Sequence, residues 1–179
     1  LTPLTAIACQ ALIERAGADV GAPAGVSRLV EGGRDIGEKL IEDPRVALVS
    51  ATGSVRMGRQ VGPRVAQRFG RVLLELGGNN AAIVTPSADL DLAVRGIVFS
   101  AAGTAGQRCT SLRRLIVHSS VADALVDRIV AAYRQLPVGD PSADGTLVGP
   151  LIHETAYRDM VGALEQARAW QGKLFAWLS

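Results

Sequence analysis

Short apolar runs alternate with amphipathic stretches along this chain, and turns rich in glycine and proline separate them. Four runs have the length and β-branched content of buried strands: 45–50, 71–75, 81–84 and 114–118. Helical periodicity predicts helices over 34–41, 53–69, 86–102 and 121–133. Because strands that alternate with helices form parallel sheets with helices packed on their faces, the sequence predicts an α/β fold.

The two ends of the chain extend this pattern. A Thr-Pro pair predicts the start of a helix at 2–16, which Gly17 ends, and Cys9 lies within it, where we expect a core position. A short strand is predicted at 26–30. The last amphipathic helix is predicted over 154–170.

Composition excludes several classes of protein. Of the 179 residues 48% are apolar, enough for a sizeable core, and the formal charge is only +2. Arginines are scattered without interleaved aromatics, so no nucleic-acid surface is expected. No apolar run reaches the ~20 residues of a membrane helix, and no signal peptide is visible. Cys9 and Cys109 form no disulfide framework, which favours a reducing, cytoplasmic setting.

A loop of small residues at 103–111 carries Cys109. Glycines let the backbone approach a ligand closely, and a thiol placed there can be exposed, with Arg108 beside it to favour the nucleophilic thiolate. The alternative is a plain buried cysteine, since free cysteine usually behaves as a small apolar residue. Pairing with His118, as in a thiol hydrolase, is a weaker possibility. His118 and His153 lack metal-ligand spacing with the cysteines, so no metal site is expected.

A second candidate site lies at 53–58, where a strand passes into a helix. The free N–H groups at a helix N-terminus attract phosphate. Gly53 permits the tight turn, Ser54 can donate a hydrogen bond, and Gly58 lets the helix pack closely. A purely structural turn is the alternative, because the spacing is not that of a dinucleotide fingerprint.

Glu75 is the third candidate. It ends an apolar strand, and partial desolvation would raise the pKa of its carboxyl and suit it to general-base work. The alternative is a carboxylate that points to solvent, as most acidic residues do.

Taken together, the three sites resemble the NAD(P)-dependent aldehyde dehydrogenase superfamily. The motifs are Thr-Gly-Ser-Val-Arg-Met-Gly at 52–58, Leu-Glu-Leu-Gly-Gly-Asn-Asn at 74–80 and Gly-Gln-Arg-Cys at 106–109, with Pro-Ala-Gly-Val at 23–26 as the lead-in. The second and third motifs look most like the antiquitin branch. Those enzymes oxidise α-aminoadipic semialdehyde, a compound of lysine catabolism.

This resemblance implies a role for each site. Cys109 would be the nucleophile and Glu75 the base, while Arg108 and Thr110 would bind the substrate, with Arg108 on its carboxylate. The alternative is that Arg108 turns away and pairs with an acidic side chain such as Asp89 or Asp91. The cofactor would be NAD, with NADP not excluded, and the residues at it would be Gly53, Ser54, Gly58, Glu75, Leu76 and Gly77. Ala51 and Val55 depart from the family, which usually has an aromatic residue and a threonine or serine there.

The resemblance also implies a domain organisation. Residues 1–76 would be the C-terminal part of a Rossmann-like NAD-binding domain, and residues 77–179 the N-terminal part of the catalytic domain, with a hinge at the Gly77-Gly78 pair. Family members are much longer, so we expect a fragment that is inactive alone, from an enzyme that forms a dimer or tetramer. The rival hypothesis is a truncated, non-catalytic chain that at most associates with a partner or complete subunit.

Overall fold

The computed structural model describes residues 2–169. Its elements in chain order are α1 (Pro3–Asp19), α2 (Arg34–Glu42), β1 (Leu48–Gly53), α3 (Val55–Gln67), β2 (Arg71–Leu76), β3 (Asn80–Val84), α4 (Leu90–Ala102), a 3₁₀ turn (Gly103–Gly106), β4 (Leu112–Val117), α5 (Ser119–Arg134) and α6 (Glu154–Ala169). The predicted α/β fold is confirmed. None of these helices is long and apolar enough to cross a membrane.

The chain divides into two compact units between Leu76 and Gly77. In the first unit, β1 and β2 are parallel, with Leu48 opposite Arg71 and Gly53 opposite Leu76. Helix α3 connects them, as the alternating pattern requires. Its buried face contributes Val61 and Val65 to a core that also contains Ile41, Val49, Ala51, Met57 and Leu74.

The second unit repeats this arrangement. Strands β3 and β4 are parallel, with Val84 opposite Val117 and a register irregularity between Asn80 and Ala81. Helix α4 connects the two strands. The core of the second unit is formed by Val84, Ile97 and Leu125, and Leu125 belongs to α5.

Several predicted boundaries differ from the structure. No strand forms at 26–30, where Val26 and Val30 are 76% and 61% exposed, because no neighbouring strand pairs with this segment. Strand β1 begins at Leu48 rather than at Arg45, because Arg45 belongs to a turn in which its backbone and side chain donate to Asp43. Those hydrogen bonds lower the pKa of Asp43 to about 2.

Helix α1 also departs from expectation. It continues through Gly17 to Asp19, and the Thr2 side chain makes no capping hydrogen bond. Cys9 is exposed rather than buried, because none of the residues of α1 is buried. At the other end, α6 follows the predicted helix to Ala169, and Trp170 lies outside the described residues.

Candidate active site

The turn from β1 into α3 has the features of an anion-binding helix N-terminus. Ser54 is the N-cap, and its Oγ accepts a hydrogen bond from the Met57 N–H at 3.1 Å. The Gly58 N–H is also satisfied, by the Ser54 carbonyl oxygen at 3.0 Å. The N–H groups of Val55 and Arg56, in the first helical turn, have no intrahelical partner by their position. They are the donors available to an anion at the positive end of α3.

Gly58 brings α3 close to β2. It is buried, and a Cβ added there would lie 2.6 Å from Cδ1 of Leu76. Glycine is therefore required for this helix to rest on the end of the strand at its present distance. This agrees with the close packing predicted for Gly58 from the sequence.

An open groove of about 560 Å³ lies beside the N-terminus of α3. Thr52, Ser54, Arg56 and Gln60 contribute to its lining, with Ala51 and Met57 at its apolar side. Arg34 of α2 and Arg64 of α3, which also line the groove, both donate to Glu38 of α2. The hydrogen bond from Arg34, followed by that from Arg64, lowers the pKa of Glu38. The groove thus combines donors, cations and an apolar wall.

The substitutions at Ala51 and Val55 leave the helix cap intact. Ala51 packs against the core of the first unit, and Val55 is the first residue of α3, with its side chain exposed. Neither residue takes part in the Ser54 capping bond. A valine at position 55 offers no hydroxyl, so the first turn has only backbone donors there.

Glu75 is exposed, so the predicted partial desolvation is wrong for the described structure. Strand alternation gives the reason. Leu74 and Leu76 are half-buried and contact the α3 side, and Glu75 between them points to the opposite face. Its partner in the register is Thr52 of β1.

The thiol of Cys109 is exposed, so the buried alternative for it is wrong. The loop begins with three residues in the left-handed region, Thr104 (φ 56°), Ala105 (φ 53°) and Gly106 (φ 69°). Such values are uncommon for residues other than glycine, and a β-branched threonine is a clear outlier. Gln107, an exposed residue of the loop, connects it to the chain on either side, since its amide donates to the Thr104 carbonyl oxygen and accepts from the Ile152 N–H.

Asn80 connects the start of β3 to this loop. Its Nδ2 donates to the carbonyl oxygen of Cys109 at 2.8 Å and to that of Ser111 at 3.0 Å. The Cys109 N–H has no acceptor among residues 2–169. An exposed thiol and an unpaired N–H thus belong to the same residue, on a backbone that another strand holds in place.

Arg108 does not pair with Asp89 or Asp91, the acidic partners considered from the sequence. Asp89 caps α4, and Asp91 accepts a hydrogen bond from Arg128 at 2.7 Å. Instead, Nη2 of Arg108 donates to the Phe99 carbonyl oxygen, near the end of α4. Its Nε–H is buried and has no acceptor among the described residues.

The remaining candidates are simpler. Thr110 is exposed next to Cys109. His118 caps α5, and its Nδ1 lies 2.8 Å from the Ser120 Oγ, which gives the ring a structural role at that helix. No cluster of His, Cys, Asp or Glu among residues 2–169 is suited to hold a metal ion.

Two residues of the loop's support were not singled out from the sequence, Asn80 and Ser111. Asn80 is the last residue of the second motif, and this membership was the only feature of the sequence that pointed to a role for it at the site. Ser111 has 1% relative exposure, although it follows two exposed residues and is polar.

The fold and these sites define a class of protein. A model of the aldehyde dehydrogenase family matches residues 1–176, and the chain belongs to that family. It is 46% identical over 167 residues to the alpha-aminoadipic semialdehyde dehydrogenase of Bos taurus, covering 93% of this chain and 31% of that protein. The family predicted from the motifs is therefore confirmed, as is the similarity to that branch.

Solved structures agree with this membership. A crystal structure of an aldehyde dehydrogenase from Brucella melitensis biovar abortus 2308 superimposes with a TM-score of 0.91 at 38% identity, covering 98% of this chain and 36% of that one. Betaine aldehyde dehydrogenase from Staphylococcus aureus, in complex with NAD⁺, gives a TM-score of 0.83 at 26% identity, covering 89% of this chain and 32% of that one. This chain spans about a third of the length of the relatives it matches.

Proposed function

We propose that this chain is part of an NAD(P)-dependent aldehyde dehydrogenase that oxidises an aldehyde to a carboxylic acid, with Cys109 as the nucleophile. The observation that carries the proposal is the exposed Cys109 thiol on a held turn, beside its own unpaired N–H. A nucleophile next to a hydrogen-bond donor is the arrangement that carbonyl chemistry needs. Membership of the family supports the same reaction.

The chemistry follows from these groups. The Cys109 thiolate attacks the aldehyde carbon, and the Cys109 N–H donates to the oxygen on which negative charge develops. The product is a thiohemiacetal on the sulfur. A bound nicotinamide would supply the hydride acceptor, so that loss of a hydride and a proton would oxidise the adduct to a thioester on Cys109. Glu75 then takes a proton from water, whose oxygen attacks the thioester and releases the acid.

The N-terminus of α3 fits the pyrophosphate of a dinucleotide. The Ser54 Oγ accepts from Met57, which leaves its hydroxyl proton free to donate. We assign Gly53, Ser54 and Gly58 to the cofactor, together with Glu75, Leu76 and Gly77. The betaine enzyme was solved with NAD⁺, whereas another solved neighbour, 36% identical to this chain, is named as an NADP-dependent enzyme, so we propose a nicotinamide dinucleotide of either kind and test NAD first.

The substrate we propose carries a carboxylate besides its aldehyde, as α-aminoadipic semialdehyde does. Arg108 is the cation next to the nucleophile, and its buried Nε–H lacks an acceptor among the described residues. A guanidinium that has no carboxylate partner among the described residues is suited to bind a substrate carboxylate through charge-assisted hydrogen bonds. Thr110 would contact the same substrate, and the name of the Bos taurus relative supports this class.

The domain assignment remains part of the proposal, with 1–76 as cofactor-binding and 77–179 as catalytic. We also propose a cytoplasmic homo-oligomer, either a dimer or a tetramer. Free Cys9 and Cys109 support a reducing compartment.

The experiment uses a family-length chimera, in which this chain replaces the matching segment of the Bos taurus enzyme. Cys109→Ala should abolish NADH formation from α-aminoadipic semialdehyde. Cys9→Ala is the matched control, because Cys9 is the other exposed cysteine, and it should keep full activity. Unchanged turnover in Cys109→Ala would refute the assignment.

One observation favours the second candidate, a non-catalytic chain that associates with a partner or complete subunit. Apolar side chains on β3 and β4 are uncovered among the described residues, with Ile83 at 73% and Ile116 at 54% exposure. Exposed apolar surface of this kind marks interaction sites. NAD binding and dehydrogenase activity by the 179 residues alone would rule this candidate out.

A further inference from the structure

The backbone of Cys109 is held from both sides by hydrogen bonds. On one side, the Ser111 N–H donates to the Arg108 carbonyl oxygen at 3.1 Å. On the other, Nδ2 of Asn80 donates to the Cys109 carbonyl oxygen at 2.8 Å. The two peptide planes that meet at the Cα of Cys109 therefore each have a fixed partner. Because φ and ψ are the only soft backbone dihedrals of a residue, these two bonds fix the direction of its N–H and of its Cα–Cβ bond.

Ser111 strengthens the turn in a second way. Its buried Oγ accepts the Arg108 N–H at 3.1 Å, and its carbonyl oxygen accepts the second hydrogen of the Asn80 amide at 3.0 Å. Both partners of Asn80 are carbonyl oxygens, which need the amide's donor atom rather than its oxygen. Asn80 thus satisfies two acceptors that face one another across the turn.

The peptide unit between Arg108 and Cys109 has a special position. Its carbonyl oxygen accepts from Ser111, while its N–H has no acceptor among residues 2–169. Hydrogen bonds at one end of an amide polarise it and strengthen the bond made at the other end. The Cys109 N–H is therefore fixed in direction by its peptide plane, and the hydrogen bond at the other end of that plane makes it a stronger donor.

We propose that Asn80 and Ser111 are positioning residues, which hold the Cys109 turn so that its N–H binds the oxygen of a carbonyl under attack by the thiol. This rests on the proposed function only in taking Cys109 as the nucleophile. The positioning role goes beyond the proposed function, because it assigns the orientation of the oxyanion donor to two side chains that touch neither substrate nor cofactor.

Two reactions of the same thiol separate orientation from general structure. Acylation by p-nitrophenyl acetate forms a bond from sulfur to the carbonyl carbon, passes through an oxyanion and expels p-nitrophenolate, leaving a thioester. Alkylation by iodoacetamide displaces iodide from carbon and forms no oxyanion. Both are measured on the whole 179-residue chain with Cys9→Ser, so that Cys109 is the only thiol.

We expect Asn80→Ala to slow acylation about tenfold, since a misplaced oxyanion donor loses much of its effect, and to leave alkylation unchanged. Asn80→Asp keeps the shape of the side chain but turns a carboxylate toward two carbonyl oxygens, so it should be at least as slow. Asn79→Ala is the matched control, because the Asn79 side chain makes no hydrogen bond among the described residues and only its backbone carbonyl oxygen accepts one, from Arg114.

Ser111→Ala, which keeps its N–H, should slow acylation in the same selective way. This variant carries the test if circular dichroism shows that the Asn80 variants are unfolded.

Equal slowing of both reactions would reduce Asn80 to a structural role and overturn the inference. So would an Asn80→Asp variant that acylates at the unmodified rate, or a chain that iodoacetamide labels at Cys109 but the ester does not acylate. Cys109→Ala tests the proposed function separately. If it acylates as fast as the parent chain, the nucleophile is wrong, whereas normal acylation by the Asn80 variants alone removes only the positioning role.

Discussion

The guanidinium of Arg108 lies over the ring of Phe99, 5.2 Å from its centroid, and donates a hydrogen bond to the carbonyl oxygen of the same residue at 3.0 Å. The residue before Cys109 is thereby tied to the last turn of α4. Gly103 leaves room for it, because a Cβ there would lie 2.5 Å from Nη2 of Arg108. The cation belongs to the residue next to Cys109 in sequence, and no carboxylate of the described residues pairs with it.

Arg108→Ala in the family-length chimera should raise the KM for α-aminoadipic semialdehyde about tenfold or more, because a hydrogen bond to a charged group contributes ~1.5–3 kcal/mol. Propionaldehyde, which has no carboxylate, should keep its KM. Steady-state kinetics with both aldehydes measure this split. Arg108→Lys keeps the charge without the forked geometry, so its KM for α-aminoadipic semialdehyde should lie between those of the parent enzyme and Arg108→Ala. Equal losses for both aldehydes would make Arg108 structural and remove the substrate assignment.

Gly58→Ala should destabilise the first unit by about 1 kcal/mol, because Leu76 would have to leave its rotamer to avoid the new Cβ. Since α3 would also move from β2, the Kd for NAD should rise. Gly62→Ala is a matched control one turn along the same helix, where the added Cβ would lie at an ordinary 3.5 Å from Leu74 Cδ1. Thermal unfolding and NAD titration should show no loss in Gly62→Ala, and a loss equal to that of Gly58→Ala would contradict the close-packing account.

Glu75→Gln should slow release of the acid by about 10²-fold or more, the usual contribution of a general base. The first turnover, which forms the thioester, does not need this base and should persist as a burst of NADH. Rapid-mixing fluorescence of the chimera separates the two phases. Glu165→Gln, at an exposed position on α6, is the control. Equal slowing of burst and steady state would argue against the role of Glu75.

The fold was largely predictable because its signals are local. The strands and helices follow apolar periodicity. A glycine one turn into the predicted helix, Gly58, indicated close packing, and the structure shows it buried. The strand predicted at 26–30 does not form, because a strand needs a neighbour to pair with and periodicity does not reveal one. Cys9 is exposed rather than in the core, because a helical pattern does not show which residues other elements cover.

The support of the candidate site was less predictable. The bond from Asn80 to the Cys109 carbonyl joins residues 29 apart in sequence. Asn80 lies where the pairing of β3 with β4 shifts register, a feature that periodicity does not reveal. The contact of Arg108 with Phe99 depends on how the chain reverses through the left-handed residues of the loop, among them a threonine and an alanine that no local rule places there. The resemblance of the motifs to a family pointed to Cys109 as a candidate nucleophile, but it did not show which residues hold its backbone.

The most direct measurement of the central claim is mass spectrometry of the family-length chimera, quenched in acid during turnover of α-aminoadipic semialdehyde with NAD⁺. The proposal predicts an acyl group on the peptide that contains Cys109, more of it in Glu75→Gln, and none on the peptide that contains Cys9. Turnover without acylation of Cys109 in either enzyme, or an acyl group that persists in Cys109→Ala, would contradict the claim that this thiol is the nucleophile.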